Sequence, residues 1–178
     1  MATAPRGVRV WDAVVRLAHW SLAALVVFNL VRDDGDYLHR VVGYVAAGIV
    51  AARWLWGLLL ARGYSRLAAL KPSPRATLRY LQAHLHGNAA RHIGHNPLGL
   101  WMVWLMWLLV LLLALTGWIS RLDAFWGDER VHDLHAWLAY ALMAAVALHL
   151  AGVAFMSWCG RENLPRAMIT GRKRELDS

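Results

Sequence analysis

Apolar positions in this chain are gathered into four long blocks instead of recurring at strand or surface-helix intervals. The blocks cover about residues 11–31, 39–60, 97–120 and 131–158. Each is close to or above the roughly 20 apolar residues that a helix needs to cross a bilayer. The pattern predicts an all-α integral membrane protein, a four-transmembrane-helix bundle forming one domain over residues 1–178. Between the second and third blocks, SPRATLRYLQAHLHG has an N-cap and first-turn pair in Ser73 and Pro74 and a stop in Gly87. Leu78, Leu81 and Leu85 share one face, with Arg75 and Arg79 elsewhere. This reads either as a short cytoplasmic amphipathic helix on an anionic leaflet or as a solvated connector.

Composition agrees, since 59% of residues are hydrophobic and only 17% charged, too apolar for an ordinary soluble domain. Trp11, Trp54, Trp56, Trp118, Trp126 and Trp158 stand near block ends, where amphipathic rings favour the membrane interface. Trp101, Trp104 and Trp107 run along one side of the third block and read as packing or lipid contacts.

The net charge of +8 gains meaning from its placement. Arg6, Arg9 and Arg16 mark the start of the first block. Arg62, Arg66, Lys71, Arg75, Arg79 and Arg91 fill the middle loop, and Arg161, Arg166, Arg172, Lys173 and Arg174 follow the fourth block. Fourteen of nineteen basic residues thus fall on one side. The other two connections set Arg32, Arg40, Arg121 and Arg130 against Asp33, Asp34, Asp36, Asp123, Asp128 and Glu129. The positive-inside rule then makes both termini cytoplasmic. No nucleic-acid motif or aromatic platform accompanies the charge, so nucleic acid is excluded as a partner. The first block lacks a small-residue cleavage site before Arg32 and is expected to remain as a helix.

Nine histidines remain to be explained. His84, His86, His92 and His95 lie in the basic loop and are expected to be wet, with metal binding by HLHGNAARHIGH the weaker reading. Ionisable groups inside a membrane span are costly and point to function. On the fourth block His135 and His149 are 14 residues apart, about 21 Å of rise and within about 40° of whole turns. They occupy nearly one stripe at two depths, and His132 fits that stripe worse. His19 on the first block falls at the depth of His149, and His39 on the second at the depth of His135. Two pairs at two levels suit two bis-histidine haems, because a flat macrocycle between helices takes one imidazole from each side. The levels are about 20 Å apart, which excludes a dinuclear metal site of about 4 Å. With one cysteine, Cys159, there is no Cys-x-x-Cys-His attachment, so any haem is held non-covalently. Gly43 and Gly152 lie beside His39 and His149 on their helix faces, where a missing side chain leaves room for a ring. Arg16 and Arg53, towards the cytoplasmic end, are candidates for haem propionates, with snorkelling to headgroups as the alternative.

HW at His19, HRVVGY at His39, HNPLG at His95, the pair His135 and His149 spaced H-x13-H, and the closing AMITGRKR occur here in order. In these features the chain resembles bacterial cytochrome b561, and more broadly the b-type cytochrome subunits of nickel-iron hydrogenases, over almost its whole length. The resemblance implies a four-helix electron carrier exchanging electrons with quinone in the bilayer and with a redox protein partner. It also implies haem ligation by His19, His39, His135 and His149, in the pairs that depth suggests.

Three functions are therefore in play. The first is a di-haem b-type cytochrome passing electrons between a partner (a hydrogenase, a dehydrogenase or a cytochrome c) and the quinone pool. The second is a stand-alone superoxide:quinone oxidoreductase, with Arg32, Arg40, Arg121 and Arg130 drawing in a small anion. The third is a membrane anchor or a proton-conducting bundle without redox chemistry.

Overall fold

A computed structural model describes residues 7–32, 34–86 and 92–174, leaving aside the side chain of His84. Arg6, Asp33, Gly87 and Arg91, which entered the sequence argument, lie outside the described residues. A short strand β1 (Val8–Arg9) leads into α1 (Ala13–Val31) and α2 (Tyr37–Leu59); α3 (Pro74–Leu85) precedes α4 (Pro97–Ile119) and α5 (Glu129–Cys159); α6 (Leu164–Thr170) leads into β2 (Arg172–Lys173). The helices α1, α2, α4 and α5 are long and apolar enough to span a membrane, and the chain is an all-α membrane bundle.

Each long helix starts at a polar cap that satisfies an otherwise orphaned backbone N–H. Asp12 accepts from Val15 N–H at 2.8 Å, Asp36 from His39 N–H at 2.7 Å, Asn96 from Gly99 N–H at 2.7 Å and Asp128 from Arg130 N–H at 2.9 Å. Pro97 at the first turn of α4 adds its preset φ. The Asp36 cap starts α2 at Tyr37 instead of His39, so His39 lies in the first turn.

Main-chain packing is tightest along the sequence α1–α2–α4–α5. The core joins Val26 of α1, Ala46 and Val50 of α2, Trp107, Leu109 and Val110 of α4, and Leu142 and Ala145 of α5. Leu17, Leu58 and Leu148 are each more than 60% exposed, as side chains facing lipid should be. Trp118, Trp126 and Trp158 are exposed near helix ends, as an interfacial belt requires. Trp11 and Trp54 are corrections to that belt. Trp11 is buried with Val10 and Val15, and Trp54 packs edge-on against Trp107, with ring centroids 6.1 Å apart, because α2 turns it towards α4 instead of lipid.

The two chain ends meet. Val8 pairs with Lys173 and Arg9 with Arg172 in an antiparallel ladder. Gly171 permits this closure: its φ is +77°, and a Cβ there would fall 2.5 Å from the Trp11 carbonyl oxygen. The helix α3 binds the bundle through one face, where Trp101 Nε1 donates to Thr77 Oγ1 at 3.1 Å and Asn96 Nδ2 to Tyr80 Oη at 3.1 Å. Leu78, Leu81 and Leu85 on another face are exposed.

Candidate haem site

The four histidines that depth arithmetic paired come together as two pairs. His19 of α1 faces His149 of α5 with ring centroids 6.3 Å apart and planes at 54°. His39 of α2 faces His135 of α5, also at 6.3 Å, with planes at 60°. His132 is exposed on the first turns of α5. The first pair lies towards the chain termini and the second towards the opposite end.

The ring spacing tests whether a metal fits between them. Two imidazole rings that share one metal at about 2 Å per metal–nitrogen bond, each with its ring centre about 1.1 Å behind the nitrogen, would have centroids about 6.2 Å apart. Both pairs match that separation, which is too wide for stacked rings. Among the described residues no group of three or more His, Cys, Asp or Glu could hold a metal ion. The four histidines therefore stand as two separate pairs, one at each level of the bundle.

At the pair away from the termini, both rings are held by their Nδ1 atoms. His39 Nδ1 lies 2.6 Å from the Arg32 carbonyl oxygen, and His135 Nδ1 lies 2.8 Å from Thr116 Oγ1. A carbonyl only accepts, so His39 carries its hydrogen on Nδ1 and leaves Nε2 bare. Asn29 Nδ2 donates to the His39 carbonyl at 2.9 Å, which ties α1 to the first turn of α2. A Cβ at Gly43 would meet Asn29 Nδ2 at 3.4 Å, so Gly43 lies beside the polar contact between α1 and α2.

At the pair nearer the termini the surroundings differ. His19 Nδ1 is buried without a hydrogen-bond partner. A Cβ added at Gly152, one turn from His149, would have nothing within 4 Å, so open space adjoins the ring on α5. Arg53 is only 7% exposed; its Nη2 donates to the Ser65 carbonyl at 2.7 Å, while Nη1 is buried without a partner. Arg16 donates through Nη1 to the Ile169 carbonyl and also leaves Nε buried and unpartnered. Each of these cations retains one N–H for an anion. Asp12 lies within reach of the Arg53 charge: burial alone would raise its pKa, but hydrogen bonds from Val15, Trp56 and Ser65 and the Arg53 charge bring it below the usual carboxylate value.

His95 is the main correction to the expected wet loop. Its ring packs against Trp11 at 4.6 Å between centroids, and His92 meets Tyr80 edge-on at 5.3 Å. The Lys173 ammonium donates to the His92 and Gly94 carbonyls at 3.4 and 3.3 Å, pulling residues 92–95 onto the joined chain ends. Burial first, then the charges of Lys173 and Arg53, push the His95 pKa down to about 4. His86 does stay exposed, with its Nδ1 2.7 Å from the Gln82 carbonyl.

Sequence reasoning missed Thr116 and Asn29 along with His95. A polar residue inside LLLALTGWI or VVFNLV is the signal that would have found the first two.

The protein-family model described as prokaryotic cytochrome b561 matches residues 10–171 of the chain. No curated protein matches the chain.

Proposed function

This chain belongs to the prokaryotic cytochrome b561 family, a b-type cytochrome of transmembrane electron transfer, and from that premise we propose that it carries electrons through two haem b groups between the quinone pool and a redox protein partner. The observation that carries the reading is the 6.3 Å separation of both histidine pairs. In this reading the termini are cytoplasmic and the membrane is the bacterial inner membrane, so His19 and His149 hold the inner haem and His39 and His135 the outer one. Held by those four histidines, haem would supply one-electron iron chemistry.

The remaining work belongs to the protein. The lipid-facing leucines keep water away from both levels. Arg53 Nη1 and Arg16 Nε, buried and unpartnered, are matched to propionate carboxylates, where a charge-assisted hydrogen bond contributes about 1.5–3 kcal/mol. The gap beside Gly152 accepts the macrocycle edge. Quinone reaches the protein from the bilayer, and the partner is a hydrogenase, a dehydrogenase or a cytochrome c.

A stand-alone superoxide:quinone oxidoreductase has less support. Arg32 is bound to Asp34 and Asp36 at 3.0 and 3.1 Å, and Arg121 lies 4.4 Å over the Trp126 ring. Two of the four cations meant to draw in a small anion are thus already engaged.

The test is the absorption and electron paramagnetic resonance spectrum of purified protein with haem quantified per chain. The expected result is two low-spin b-type haems. One or none, or a high-spin signal at either level, overturns the reading.

A further inference from the structure

We propose that Thr116 is a positioning residue: its hydroxyl fixes the tautomer of His135 so that the bare Nε2 faces His39. The inference rests on the di-haem reading above and adds to it what sets the properties of the outer centre.

Thr116 is 4% exposed and sits in an otherwise apolar stretch of α4. Its Oγ1 lies 2.9 Å from the Leu112 carbonyl oxygen and 3.2 Å from that of Leu113. Carbonyls only accept, so the single hydroxyl hydrogen is directed back along the helix. Such back-bonding is ordinary for threonine in a membrane helix and by itself implies no function. What it leaves unexplained is the third contact, His135 Nδ1 at 2.8 Å. Assigning the hydroxyl hydrogen to the Leu112 carbonyl makes Oγ1 the acceptor there and the imidazole Nδ1 the donor. A neutral imidazole has one N–H, and Nε2 is therefore left with its lone pair. The Arg32 carbonyl imposes the same tautomer on His39 at 2.6 Å. Gly117 completes the seat, since a Cβ there would already touch His135 Cε1 at 3.5 Å.

An imidazole that binds a metal through Nε2 and donates its Nδ1–H to oxygen is a stronger electron donor, and it favours the ferric over the ferrous state. Thr116 should therefore hold the outer haem tightly and lower its potential. A threonine that merely satisfied its own hydroxyl would do neither.

The experiment replaces Thr116 with valine, which keeps the shape and removes the acceptor, and with serine, which restores it. Haem per chain, haem loss to apomyoglobin and a two-wave redox titration are read on the loaded protein. In Thr116→Val the outer haem should leave 10- to 100-fold more readily, the range typical of lost partners of metal ligands. Its wave should rise by the equivalent of about tenfold in ferric-to-ferrous preference, about 59 mV for one electron. The inner wave should stay in place, and Thr116→Ser should behave as wild type. Should the valine variant misfold, Thr116→Ala carries the same expectation. Two haems with unchanged loss rate and unchanged waves in the variant would overturn the role of Thr116 while leaving the di-haem reading intact. Fewer than two haems in the wild type would overturn the di-haem reading itself.

Discussion

The two histidine pairs have the same ring spacing, 6.3 Å, but reach it by different means. The pair away from the termini is organised by hydrogen bonds from the imidazoles themselves: His39 Nδ1 donates to the Arg32 carbonyl and His135 Nδ1 to Thr116 Oγ1. The inner pair has an unpartnered His19 Nδ1, and its neighbourhood is organised around it: open space at Gly152 and two cations, Arg16 and Arg53, each with a nitrogen to spare. In the two-haem reading proposed above, the pair away from the termini presets the ligand atoms and the pair nearer the termini presets the pocket around them. Preorganisation can be invested in the ligand atoms or in the pocket around them, and this bundle uses one strategy at each end.

Removing a ligand from each level is the most forceful way to break that comparison. His135→Ala should take away the outer haem alone and His149→Ala the inner haem alone, halving haem per chain in both cases. About 21 Å of helix separates the two positions on α5, and effects at that distance are normally independent. Haem quantification with the spectrum of the surviving centre is the check. Loss of both haems from either variant would mean that the levels assemble as one unit.

A smaller effect should separate the strategies by charge. Arg53→Gln keeps a donor for the Ser65 carbonyl but removes the buried cation. Loss of one charge-assisted hydrogen bond, about 1.5 kcal/mol at the low end, should weaken retention of the inner haem about tenfold, and loss of a nearby positive charge should lower its potential. The outer wave in the same titration is the internal control. If it moves as far as the inner wave, Arg53 acts on the fold at large and the contrast between the levels fails.

The parts of this design that the sequence carried openly are those fixed by helix geometry. Rise per residue is a constant of the α-helix, so the depths of His19, His39, His135 and His149 followed from counting, and the pairs with them. Contacts that depend on how each helix is rotated were not legible. Thr116 meets His135 only because α4 turns that face towards α5, and Asn29 meets the His39 carbonyl only because Asp36 starts α2 two residues earlier than the apolar block suggests. His95 was hardest to read. Its surroundings come from both chain ends, joined by β1 and β2 and by Lys173, and nothing local in HNPLG announces a partner about 80 residues away.

That last residue yields the mildest way to tell the levels apart, by pH. His95 is neutral in the folded protein, with its pKa at about 4 against an ordinary 6.5. Between those values the unfolded chain binds a proton that the folded chain does not, so stability rises with pH across that window. Its contribution is complete above about 6.5, is lost as pH falls towards 4, and changes no further below that, with a slope of at most about 1.4 kcal/mol per pH unit. Because His95 packs under Trp11 at the chain-terminal end, acidification from pH 7 to 5 should loosen the inner level first. Thermal unfolding in detergent, followed at the inner and outer haem bands, reads this directly. In His95→Gln, which cannot titrate, the lag between the two bands should no longer depend on pH across this window. A lag that persists with the same pH dependence would place the sensitivity in the haem ligands and not in the joined chain ends.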